Sequence, residues 1–192
     1  MCLKKELNDI RLSRRRVLKL GGLAVLAWAV PSSARTALKK SSGSLAPREL
    51  SLFNTHTGES LDSVFWEAGD YIPDELRRID HILRDPLTGE TKEMDVRLLD
   101  LLHRLRVSLS ATDSFHVICG YRCPQTNAAL RQKSSGVAAH SLHMLGQAVD
   151  IRLPGIPLAS LRNAALALKA GGVGYYPQSD FVHVDVGPVR TW

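Results

Sequence analysis

The chain has 192 residues and a net charge of +6 with a pI near 9.5, values that taken alone suggest a polyanion or membrane-surface partner. Most of that charge sits at the front: residues 1–34 carry Lys4, Lys5, Arg11, Arg14, Arg15, Arg16 and Lys19 against Glu6 and Asp9, which leaves 18 basic and 17 acidic side chains for the rest. A nearly neutral body gives no electrostatic reason for a nucleic-acid partner, and none is expected.

The front segment reads as an address. Ser13-Arg14-Arg15-Arg16-Val17-Leu18-Lys19, followed by the apolar run from Leu20 to Val30, has the form of a twin-arginine export signal. The run is shorter than the about 20 apolar residues that span a bilayer. Ser32-Ser33-Ala34 supplies the small residues a signal peptidase reads, so residues 1–34 are expected to be cleaved on export to the periplasm, leaving no stable membrane anchor. An uncleaved anchor is the alternative. Residues 35–49, polar and holding Lys39-Lys40-Ser41-Ser42-Gly43-Ser44 and Pro47, read as a flexible lead-in. Residues 50–192 then form one domain, whose oligomeric state the sequence leaves open. Cys2 belongs to the signal. Cys119 and Cys123 are too close in sequence for an ordinary disulfide and are expected as free, partly buried thiols that leave metal binding to better ligands.

Along the domain, Leu50-Ser51-Leu52-Phe53 and Val64-Phe65-Trp66 flank a Thr57-Gly58-Glu59 turn, which predicts a hairpin. Pro73 opens a helix with Leu76, Ile79, Ile82 and Leu83 on one stripe, and Asp95 caps a second that carries Leu98, Leu99, Leu102 and Leu105 to about Leu109. His81 and His103 on these helices read as structural or surface residues. Phe115 to Cys119 has strand composition, and Pro124 opens a helix through Leu130 after a loop bearing Arg122. Gln147 to Arg152 alternates, so Ala148, Asp150 and Arg152 oppose Val149 and Ile151. A helix from Pro157, with Leu158, Leu161, Ala165 and Leu168 inward, is expected to stop at Gly171-Gly172. Val173 to Tyr176 and Phe181 to Val186 form a last hairpin, in which His183 and Asp185 share the face opposite Val182, Val184 and Val186.

His143, Asp150 and His183 therefore offer two imidazoles and one carboxylate to a single divalent ion, with Gly146 letting the first loop turn back toward Asp150. Such a set leaves one position open on a tetrahedral zinc, which is the pattern of a catalytic rather than a structural site, and points to hydrolysis.

Ser141-x-His143-x-x-Gly146-x-Ala148-x-Asp150, Gly120-Tyr121-Arg122-x-Pro124-x-x-Asn127 and Asp180-x-x-His183, in this order, resemble the zinc D-alanyl-D-alanine peptidase and hedgehog-like superfamily, and within it the murein endopeptidase K family. The resemblance runs from about Leu50, where Leu52-Phe53-Asn54-x-His56-Thr57-Gly58-Glu59 also fits, to Trp192. It implies an α+β domain with a small antiparallel sheet that carries one zinc and is flanked by helices. It also implies a metallopeptidase acting on peptidoglycan stem peptides, with His143, Asp150 and His183 as zinc ligands and Asp180, three residues before the last ligand, as the acid/base carboxylate. Asp185 is the rival for that role, or else orients an imidazole, with Ser141 as a further supporting residue. Arg122 is expected to stabilise the carbonyl oxygen under attack or to clamp a substrate carboxylate. Relatives commonly have Ser where Cys123 stands, and His140 has no counterpart among the ligands; it reads as a solvent-facing residue or an alternate proton shuttle. His56 fits the motif without an evident chemical role. Cutting cross-links is the favoured activity; trimming a terminal D-alanine, or zinc-stabilised wall binding without hydrolysis, are the alternatives.

Overall fold

A computed structural model describes residues 46–134 and 136–192. The export segment and most of the lead-in lie outside the described residues. The first strand, β1 (Arg48–Asn54), begins just inside the expected lead-in and pairs with β2 (Ser60–Glu67) as the predicted hairpin. Leu50, Leu52 and Phe65 on its inner face are fully buried. A short β3 (Asp70–Tyr71) extends it.

Helix α1 (Pro73–Ile82) starts at the predicted proline, with Asp74 and Glu75 in its first turn where the helix dipole favours negative charge. Helix α2 (Val96–Ser108) starts after Asp95, whose carboxylate accepts from the Arg97 amide at 3.0 Å. Its predicted stripe of Leu98, Leu99, Leu102 and Leu105 is wholly buried. Together these helices form the crossover that lets β4 (Phe115–Cys119) run parallel to β1, since parallel neighbours cannot be joined by a tight turn. Helix α3 (Pro124–Lys133) follows, its first turn capped by the Cys123 thiol, which accepts from the Thr126 amide at 3.4 Å.

After a 3-10 turn at Leu142–Leu145 come β5 (Ala148–Arg152), α4 (Leu158–Leu168), β6 (Gly172–Tyr176), β7 (Phe181–Asp185) and β8 (Arg190–Thr191). The α+β class holds, but the sheet is larger than the small antiparallel one anticipated. Among the described residues it has eight strands in the order β3-β2-β1-β4-β5-β7-β6-β8, with β1/β4 and β6/β8 parallel and the other pairs antiparallel. Helix α4 also ends before Gly171: Lys169 adopts the left-handed conformation and closes it. Gly171 serves packing instead, because a Cβ there would collide with the Asp185 carbonyl.

Val149, Ile151, Val182 and Val184 of β5 and β7 join the helices in one apolar core. Alternation then forces Asp150 and His183 onto the opposite face. No helix among the described residues is long and apolar enough to cross a membrane.

The turn that delivers His143 closes on Gly146, with φ of 68°. A Cβ there would lie 2.5 Å from the Glu93 carbonyl oxygen, and a left-handed non-glycine residue is strained besides. Gly146→Ala is expected to lower stability by about 1–3 kcal/mol; an unchanged urea midpoint would refute that role.

Candidate metal centre

Asp150 and His183 are direct partners in the β5/β7 register. His143 reaches them from the 3-10 turn, where its own amide donates to the Ser141 hydroxyl at 3.3 Å. The donor atoms form a tight triangle: His183 Nδ1 to Asp150 Oδ1 is 2.9 Å, His143 Nε2 to His183 Nδ1 is 3.2 Å and His143 Nε2 to Asp150 Oδ1 is 3.3 Å. Ligand atoms on a tetrahedral ion with bonds of about 2.0–2.1 Å, as zinc makes to nitrogen and oxygen, lie about 3.3 Å apart. The residues fit such an ion.

Each imidazole is held from behind. His143 Nδ1 donates to the Gly120 carbonyl at 2.8 Å, and His183 Nε2 to Asp185 Oδ2 at 3.0 Å, which leaves the other nitrogen of each ring free to bind a metal. Asp185 is fully buried and fully used, accepting also from the Gly172 and Gly187 amides and from Arg190. Burial alone would raise its pKa; the bonds from His183, the two amides and Arg190 outweigh burial and hold it far below the ordinary carboxylate range. Burial would likewise raise Asp150, but the nearby His143 and His183 pull it far down. For His143, burial pushes the pKa down, while the Asp150 carboxylate and then the Cys119 thiol more than reverse this and raise it well above the ordinary value.

The triangle lies in an open cavity of about 540 Å³ whose wall includes Arg122, His140, Tyr176, Phe181, Arg190 and Trp192. Arg122 places Nη2 3.3 Å from Cys119 Sγ and 3.8 Å from Asp150 Oδ2, while its Nε is buried without a partner. Asp180 stands apart. It occupies the turn between β6 and β7 with φ of 53°, and its carboxylate pairs with Arg152 at 3.0 Å beside a different cavity. His140 is exposed on the wall of the metal cavity. His56 Nε2 meets the Ile118 carbonyl at 2.9 Å and ties the β1/β2 turn to β4. His103 Nδ1 lies 3.1 Å from the Glu49 carbonyl oxygen, and His81 is exposed, so both fit the structural reading.

Cys119 is the residue that sequence reasoning set aside. Both thiols are free, yet Cys119 Sγ and one donor each of His143 and Asp150 lie within 4.8 Å of one another. A register irregularity between Val117 and Cys119 sets Cys119 opposite Asp150, a displacement that strand alternation does not foretell. Because the donors of His143, Asp150 and His183 lie 2.9–3.3 Å apart, the spacing of ligand atoms around a tetrahedral ion, the thiol is the weaker candidate ligand.

An ion needs the His143 nitrogen bare, so it competes with the proton that Asp150 helps to hold. Below the raised His143 pKa, zinc affinity is expected to rise about tenfold per pH unit, and Asp185→Asn to lower it about 10- to 100-fold throughout. Zinc titration against a competing chelator measures both; a pH-independent affinity, or one indifferent to Asp185→Asn, would contradict this account.

A family model described as "Peptidoglycan L,D-endopeptidase MepK" matches residues 42–192. The chain is 44% identical over 180 residues to the peptidoglycan L,D-endopeptidase MepK of Escherichia coli (strain K12), covering 94% of this chain and 97% of that protein. It is 38% identical over 187 residues to the probable peptidoglycan L,D-endopeptidase MepK of Haemophilus influenzae, covering 97% and 98% respectively. On a match of this extent, spanning every residue of the donor triangle, the chain belongs to the peptidoglycan L,D-endopeptidase MepK family.

Proposed function

We propose that this protein is a zinc-dependent endopeptidase that hydrolyses peptide cross-links of peptidoglycan, at a bond of the L,D type named for its relatives. The observation that carries the reading is the triangle of His143, Asp150 and His183 donors, 2.9–3.3 Å apart in an open cavity. These residues would hold the ion. A zinc bound there supplies Lewis acidity to the scissile carbonyl and to the attacking water, an effect worth several kcal/mol.

The chain's own groups do the rest. Asp185 has its oxygens committed and orients the His183 ring. Arg122, close behind Asp150, offers a guanidinium to the carbonyl oxygen as negative charge gathers on it. Asp180 takes the proton from water and returns it to the leaving amine, which requires its pair with Arg152 to open. A second assignment of the proton acceptor is His140, because it lines the metal cavity while Asp180 lines the neighbouring one. The substrate lies outside the inner membrane, so the protein works in the periplasm. Ser13 to Lys19 would direct it through the twin-arginine route, with residues 1–34 removed and 35–49 as a lead-in to the wall.

Incubation with purified sacculi and with a soluble pentapeptide, each with and without chelator, tests the activity. Chelator-sensitive conversion of cross-linked to uncross-linked muropeptides, seen after muramidase digestion of the treated sacculi, is expected; release of terminal D-alanine alone would make the protein a carboxypeptidase, and binding without products a recognition module. In the same assay Asp180→Asn should lower kcat by about 10²- to 10⁴-fold with zinc retained, and His140→Gln should leave it within a few-fold. The opposite pattern would transfer the proton role to His140.

A further inference from the structure

A second cavity, of about 360 Å³, opens beside the metal site and is lined by Arg152, His116, Asp180, Pro154, Gly155 and Ile156 among others. Arg152 follows Asp150 by two residues on β5, so its side chain leaves the same face of the sheet as the metal donors, about 7 Å along the strand. The turn between β6 and β7 separates the two cavities: Ser179 and Phe181 border the first and Asp180 the second. In the second, a carboxylate of the chain itself sits on the Arg152 guanidinium at 3.0 Å. His116 stands opposite Arg152 in the β4/β5 register, and its Nδ1 is buried with no hydrogen-bond partner. Burial first, then Arg152, lower its pKa and favour the neutral ring, which can present either a donor or an acceptor at that atom.

We infer that Arg152, with His116 beside it, is a subsite for a free carboxylate of the stem peptide, and that Asp180 fills this subsite until substrate displaces it. The inference rests on the endopeptidase reading above and deepens it. One carboxylate replaces another on the same guanidinium, so the exchange leaves the local charge balanced. The pair being displaced is also half-exposed, with side-chain exposures of 39% and 62%, and exposed pairs of this kind are weak. Stem peptides carry carboxylates near their cross-links, and an extended peptide advances about 3.3 Å per residue, so a group about two residues from the scissile carbonyl reaches Arg152. Occupation of the subsite frees Asp180 at the border of the metal cavity, which couples recognition of an acidic substrate to delivery of the proton acceptor.

Calorimetry on zinc-loaded protein with soluble cross-linked stem peptides, prepared with free carboxylates and as carboxamides, tests the subsite. Asp180→Asn, which removes the internal occupant and slows cleavage, is expected to bind the acid peptide about 10- to 100-fold more tightly than the amide, and wild type, which cleaves both, to show a smaller preference in KM. Adding Arg152→Ala should abolish the preference by weakening the acid alone, and adding Arg152→Lys should keep part of it; the zinc content of each variant reports an intact fold. Equal binding of acid and amide by Asp180→Asn, or a preference that survives Arg152→Ala, overturns the subsite. Neither result touches the peptidase reading, which fails instead if wild type cleaves neither peptide.

Discussion

The His183 imidazole is held between two carboxylates, Asp150 Oδ1 at 2.9 Å from Nδ1 and Asp185 Oδ2 at 3.0 Å from Nε2, and the rest of the site is arranged to make that burial tolerable. A buried charge without partners costs several kcal/mol, so each ionisable group here must be compensated. Asp185 meets the requirement with two backbone amides and Arg190, a fixed cradle that depends on the close approach of Gly172 and Gly187. A Cβ on Gly172 would lie 2.5 Å from the Asp185 carboxylate. Asp150 is compensated by the two imidazoles in the metal-free protein and by a cation when one is present. The site is thus rigid from behind and open in front, as a centre that binds an ion and still admits a substrate must be.

Much of this was legible in the sequence because it rests on short-range rules. Alternation on β5 and β7 set Asp150 and His183 against four buried aliphatics, and Pro73, Asp95 and Pro124 marked helix starts that the structure keeps. The heavy use of those signals also explains what was missed. Parallel pairing of β1 with β4 follows from a crossover through two helices and has no local signature. Lys169 closes α4 in a conformation usually left to glycine, so the Gly171-Gly172 pair misled. The irregularity that brings Cys119 opposite Asp150 belongs to the strand pair, and neither strand alone encodes it.

Asp180 shows where motif and geometry answer different questions. The family resemblance implies a proton carrier three residues before His183, while the structure pairs the Asp180 carboxylate, in a turn of left-handed backbone, with Arg152. The two are reconciled if the free enzyme holds this carboxylate in reserve. On this view the β6/β7 turn serves both cavities, and the neighbours Ser179 and Phe181 shape the one that Asp180 enters when it leaves Arg152.

Two imidazoles and one carboxylate are proposed to hold a single ion, with the Cys119 thiol outside its coordination. X-ray absorption at the zinc edge of the reconstituted protein tests this most directly. The account predicts one zinc per chain surrounded by nitrogen and oxygen at about 2.0–2.1 Å; a sulfur neighbour at about 2.3 Å, or zinc in less than stoichiometric amount, would contradict it.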